Sequence, residues 1–96
     1  MTTAIMPYSE RKAHRIDKAS QHATRLPIRA YNGTTIEVRK ASRSRGYQTD
    51  YEPVLTYWVL LYKSEHHLFA GYSFTESSYL KHRADVLTKT GVELPC

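Results

Sequence analysis

The chain has 96 residues, 41% of them hydrophobic and 11% aromatic, a formal net charge of +5, and one cysteine, at the last position. That length holds a single domain with a modest core, and the apolar fraction excludes a disordered polyelectrolyte. A lone cysteine gives no disulfide framework, MTTAIMPYSERK lacks the apolar run of a secretory signal, and the longest dense apolar run, VLTYWVLLY, is too short to span a bilayer; the expectation is a cytoplasmic protein with no membrane partner.

Residues 9–24, SERKAHRIDKASQHAT, place Ala13, Ile16, Ala19 and Ala23 near helical spacing, with Ser9 positioned to cap. Three of those four side chains are alanine, so the buried face is thin. The pattern predicts a weak helix that forms only when docked, within a basic arm over residues 1–24.

Residues 25–40 predict a first hairpin around Asn32-Gly33, a strong hairpin signal. A two-residue turn would pair Arg29 with Ile36 and Ile28 with Glu37, mixing charged and apolar side chains on both faces. A three-residue loop, Tyr31-Asn32-Gly33, pairs Ile28 with Ile36 and Leu26 with Val38. It also gathers Arg29, Thr35, Glu37 and Arg39 on the opposite face. A one-residue slip exchanges the faces, so the hydrophobic pattern selects the three-residue loop, with Gly33 left-handed at a bulge. Pro27 lacks an N–H and marks an edge strand.

Residues 41–53 read as a long basic loop ending at Pro53, which biases the preceding residue to extended geometry. The second hairpin spans 54–74. Residues 54–63, VLTYWVLLYK, are rich in β-branched and aromatic side chains and apolar on both faces, as in a central strand covered on both sides. A four-residue loop, 64–67, sets Val59 opposite Tyr72, Tyr57 opposite Phe74, Tyr62 opposite Phe69 and Leu60 opposite Gly71. The C-terminal helix follows within 75–91. Thr75 is its N-cap, Glu76 complements the positive end, and Gly91 is its stop, with Pro95 beyond. Leu80, Ala84 and Leu87 form its apolar stripe, flanked by Tyr79 and Val86.

The fold class is therefore α+β: a four-stranded antiparallel sheet of two hairpins, a C-terminal helix on one face, and a weak N-terminal helix or arm. The C-terminal helix should cover Leu55, Tyr57, Val59, Leu61 and Tyr72. The second face, carrying Trp58, Leu60, Tyr62 and Phe69, has only the N-terminal helix as a lid. Trp58, Tyr62 and Phe69 are then either buried beneath it or a protein interface, such as a homodimer seam.

Charge is unevenly divided. Residues 1–46 carry ten Lys/Arg against three Asp/Glu, and residues 47–96 carry four against six. A basic half favours a polyanion or an acidic protein surface. Arg25, Arg29, Arg39, Lys40, Arg43 and Arg45 lie on the first hairpin and the loop after it, where arginine forks suit phosphate oxygens. Tyr47 and Tyr51 can stack on bases. Loops are polar in any case, so a solvated loop is the competing explanation. No RNA-recognition fingerprint, helix-turn-helix pattern or zinc-finger spacing is present. His66-His67 with scattered His14, His22 and His82 do not form a metal-ligand pattern, and neither a metal nor a cofactor is expected.

No phosphate-cradling glycine loop or nucleophile turn is present either. Acid–base ribonuclease chemistry would use His66, His67, Tyr47 and Arg45. In size and charge the chain resembles small mRNA-cleaving toxins of toxin–antitoxin pairs, although those begin with a helical hairpin where this chain has the Asn-Gly hairpin. In size and plan it is also similar to small proteins of phages and mobile elements, including anti-CRISPR proteins, which implies an inhibitor of a host defence nucleoprotein complex as an alternative. The leading expectation is a non-enzymatic module that binds nucleic acid or a ribonucleoprotein complex.

Overall fold

A computed structural model of the chain describes residues 8–44, 53–64 and 67–96. Its elements are α1 (Tyr8–Ala19), β1 (Thr24–Arg25), β2 (Arg29–Tyr31), β3 (Thr34–Ser44), β4 (Pro53–Lys63), β5 (His67–Thr75) and α2 (Glu76–Thr90). All strand pairs are antiparallel, in the order β1-β3-β4-β5, with β2 also paired to β3. The expected α+β class holds. The expected first strand is split into β1 and β2, which share one edge of the sheet. The fold has three layers: α1, the sheet, and α2 with the C-terminal segment.

The split resolves a conflict between the turn and the core. Tyr31 pairs with Thr34 and Arg29 with Ile36, so the turn is the two-residue Asn32-Gly33, not the expected three-residue loop. Asn32 (φ 47°) and Gly33 (φ 78°) are both left-handed, as a primed turn requires. Beyond Pro27 the register moves by one: Arg25 pairs with Arg39, and the Leu26 N–H donates to the Val38 carbonyl at 2.9 Å. Leu26 thereby reaches the core opposite Val38, as the apolar pattern demanded. Ile28 does not pair with Ile36 and is exposed. The local turn preference decides the register near the turn, and burial decides it four residues away.

The apparent loop is also shorter than expected. Ala41–Ser44 continue β3 and pair with Pro53–Thr56 of β4. The last β1 pair is Thr24 with Lys40 and the last β5 pair is Thr75 with Thr56, so the far ends of β3 and β4 run on as a two-stranded ribbon. The rest of the basic loop lies outside the described residues.

In β4–β5 the expected register holds from Tyr57–Phe74 to Leu61–Ala70. An irregularity after Leu61 then sets Tyr62 opposite Leu68 instead of Phe69, and Lys63 opposite His67. The expected loop thus loses His67 to β5. Ser64 takes φ 58° where the chain leaves β4.

The α2 side holds the larger core: Ile36, Val38, Tyr57, Val59, Tyr79 and Leu94, with Leu26, Leu55, Leu61, Phe74, Val86 and Val92 packed around it. Each large side chain so buried contributes roughly 1.5–3 kcal/mol. Thr75 caps α2, accepting from the Ser78 N–H, and Gly91 ends it in the left-handed conformation. The inward face of α2 differs from the expected one. Tyr79 is fully buried and stacks on Tyr57 (4.0 Å between centroids, 6° between planes), whereas Leu80 and Leu87 are exposed. Two overlapping apolar stripes run along this helix. The stacked tyrosines, together with Leu94 from the returning segment, select the stripe through Tyr79 and Val86. Tyr72, expected beneath α2, is 39% exposed at the sheet edge.

Candidate nucleic-acid interface

Helix α1 begins at Tyr8, so Ser9 lies within it rather than capping it. Ala13 is fully buried against the sheet, whereas Ala19, expected on the same face, is exposed. The small side chain of Ala13 permits a close approach: a Cβ on Gly71 would meet the Ala13 Cα at 2.9 Å. Ala13, Leu60 and Leu68 form a second small core there, with Ile16 and Tyr62 alongside. Trp58 is buried on this side, with the His22 ring edge-on at 6.0 Å. Tyr62 and Phe69 are half-buried. Of the two alternatives for this face, burial under α1 holds for Trp58, and Tyr62 packs beside the Ala13 cluster.

Polar contacts complete the docking. Arg39, 1% exposed, rises from β3 between the sheet and α1. It donates through Nη1 to the Asp17 carbonyl and the Ser20 hydroxyl, both at 3.0 Å, and through Nη2 to Glu37 Oε1 at 3.0 Å. Nη2 also lies 2.8 Å from Asp17 Oδ1. The Tyr62 hydroxyl donates to Glu37 Oε1 at 3.2 Å. Burial works against the Arg39 charge, but the two carboxylates outweigh it and its pKa is raised. Burial, reinforced by the charge on Glu37, also raises the Tyr62 phenol.

This geometry corrects the expected hairpin grip. Arg39 faces α1 and cannot meet an outside partner, because it neutralises the buried Glu37 two residues away. Arg29 does not share its face, since the two-residue turn puts Arg29 opposite Ile36, on the α2 side. There its Nε donates to the Glu93 carbonyl at 3.0 Å. Lys40, also on that side, donates to the Cys96 carbonyl at 2.8 Å. Arg25 is exposed, 3.8 Å from Glu37 Oε2. The main chain of Arg43 pairs with Val54, and Arg45, Tyr47 and Tyr51 lie outside the described residues. Among the described residues, the structure therefore does not gather Arg25, Arg29, Arg39 and Lys40 onto one surface.

It gathers a different set. Arg11, Arg15 and Lys18 recur at helical spacing along the outward face of α1, with His14 and the exposed Tyr8 beside them, lining one shallow groove. Lys12, at the margin, lies 5.3 Å from the Tyr72 ring centroid. Both carboxylates of α1 turn inward, Asp17 to Arg39 and Glu10 to His67. Among the described residues, no carboxylate pairs with Arg11, Arg15 or Lys18. The sequence signal for this set is the 11-15-18 period of cations, which follows the helical repeat.

His67, a candidate for acid–base chemistry, is bound to Glu10, and its neighbour His66 lies outside the described residues. His82 is on the other side of the sheet, stacked on Phe74 at 4.8 Å, and burial lowers its pKa. Among the described residues no group of three metal-ligating side chains converges, and no helix is long and apolar enough to cross a membrane. No family model matches the chain, and no curated protein or solved structure matches it.

Proposed function

We propose that this chain is a non-enzymatic nucleic-acid-binding module that grips phosphates through the outward face of α1. The observation that carries the proposal is the sorting of charge on that helix, with carboxylates turned to the sheet and cations to solvent. A helix of this length is about 18 Å long and fits the major groove of duplex DNA. Tyr8, at its start, offers a ring for stacking on a base or sugar. Arg43, Arg45, Tyr47 and Tyr51 are a second candidate set for backbone contacts, on the strength of their residue types and spacing in the sequence. A buried ion pair and a tight helix–strand contact hold α1 rigidly enough to present its cations as a set.

The test is binding to mixed-sequence DNA and RNA over a salt titration. Three phosphate contacts from Arg11, Arg15 and Lys18 give a log–log slope of about −2.7 on duplex DNA, roughly a 40-fold loss of affinity between 50 and 200 mM salt. No binding at low salt, or affinity indifferent to salt, refutes the proposal. Capture from an extract of a complex that survives nuclease digestion would point instead to a protein partner, the inhibitor alternative.

A further inference from the structure

The segment after α2 is held in an unusual way. Four consecutive carbonyls, from residues 93 to 96, each accept a hydrogen bond from a side chain of the body: Arg29 to Glu93, Arg83 to Leu94 (2.6 Å), Tyr79 to Pro95 and Lys40 to Cys96. The contacts of this segment to the body are made by side chains of β2, β3 and α2 rather than by a strand ladder. Leu94 is 1% exposed, an anchor in the cleft between α2 and the sheet. Glu93 Oε2 lies 3.5 Å from Arg83 Nη2. Pro95 favours the extended conformation at Leu94 that spreads successive carbonyls toward their donors.

The cleft is longer than the segment that fills it. Beside Leu94 it continues as an open hollow of about 280 Å³, floored by Ile36, Val59 and Leu61 of the sheet and roofed by Val86 of α2. Tyr79 pins the first half of α2 to the sheet, and the hollow lies under its later turns. The donors read main-chain carbonyls, so they are blind to side-chain identity. Selectivity comes from the Leu94 pocket and from Arg83, which lies beside the Glu93 carboxylate. These are the features of a site for an extended peptide.

We propose that this cleft is a docking groove for an extended segment of a partner protein with an acidic residue followed by leucine and proline, and that residues 92–96 occupy it in cis as a tethered competitor. Arg83, 3.5 Å from the Glu93 carboxylate, selects the acidic residue, the Leu94 pocket takes the leucine, and the proline keeps the segment extended. A tethered segment has the advantage of high effective concentration. A partner overcomes it by placing one more apolar side chain in the hollow, which the tail leaves open. This groove lies on the face of the sheet opposite α1, so its occupation and nucleic-acid binding are separable.

The single cysteine makes the test direct on the full chain. Cys96 is exposed, and a fluorophore on its thiol reports whether the tail is seated. Adding the peptide Phe-Val-Glu-Leu-Pro-Ala, whose phenylalanine supplies the apolar side chain for the hollow, lowers the label's anisotropy saturably, and the same peptide with alanine for leucine does not. In a second arm, the peptide carries the label and the chain carries Leu94→Ala, with its fold checked by circular dichroism. Weakening the tail raises peptide affinity at least tenfold over the unchanged chain. An anisotropy that stays constant up to millimolar peptide, on a chain shown to be folded, overturns the proposal. A label that responds to added unlabelled protein but not to peptide also overturns it, since the occupant is then the tail of a second copy.

Discussion

Arg39→Met separates the two roles an arginine at this position can have. A phosphate-binding surface arginine can be replaced with a stability change within about 0.5 kcal/mol. The structure instead makes Arg39 the partner of two carboxylates, Glu37 Oε1 at 3.0 Å and Asp17 Oδ1 at 2.8 Å. Removing one member of a buried pair costs about 3–5 kcal/mol, because the charge left behind keeps its desolvation penalty. Asp17 is 30% exposed at its side chain and can recover water, and Glu37 keeps the Tyr62 hydroxyl, so the lower end applies, about 3 kcal/mol. For a domain of this size that lowers the melting temperature by roughly 15 °C. The assay is urea denaturation followed by far-ultraviolet circular dichroism. The double substitution Arg39→Met with Glu37→Leu removes the stranded charge and recovers much of the loss, giving a large coupling energy. A single substitution that leaves the midpoint unchanged refutes the buried-network account of how α1 is docked.

Gly71→Ala pushes a methyl against the Ala13 backbone at 2.9 Å and Leu60 Cδ2 at 3.2 Å, so α1 must move. The expected cost is about 1–3 kcal/mol, with faster amide exchange in α1 than in α2. Stability depends on His82 below the usual histidine pKa. Burial lowers its folded-state value, so the unfolded chain binds more protons there and stability falls as pH drops from about 6.5. His82→Gln flattens that part of the pH–stability curve. At the alkaline end, burial pushes the Tyr79 phenol up to about 12, so the folded state holds its proton longer than the unfolded one. Stability is therefore lost as pH rises from about 10 to 12, and Tyr79→Phe reduces that dependence, leaving the part carried by the buried Tyr57 and Tyr62 phenols, while lowering stability at neutral pH through the lost bond to the Pro95 carbonyl.

The elements were legible wherever local chemistry and burial agree. Thr75, Glu76 and Gly91 delimit α2 in the sequence and in the structure. The alternation of VLTYWVLLYK gives a central strand, and its register with β5 follows over Tyr57–Leu61. Legibility failed where two signals competed. Asn32-Gly33 demands a primed turn while Ile28 and Leu26 ask for a different register, and only a one-residue shift across Pro27 reconciles them. The same shift moved Arg29 away from Arg39, so the basic face inferred from the hairpin dissolved. Arg39 was hidden from sequence reasoning because burial of a charge depends on partners from another element, here Asp17 and Ser20. The outward cations of α1 were within reach, since 11, 15 and 18 follow the helical period. What the sequence did not reveal was that Glu10 and Asp17 turn away from them toward the sheet.

The most direct test of the central claim is a paired charge reversal read by salt titration against duplex DNA. Arg11→Glu with Arg15→Glu should abolish most low-salt binding and flatten the log–log slope from about −2.7 to about −1, since one of three contacts remains. The melting temperature should be unchanged, because neither side chain has a partner among the described residues. Unchanged affinity and slope in this variant, with loss of binding on reversing Arg43 and Arg45 instead, would contradict the assignment to α1 and place the grip on the arginines of residues 43–45.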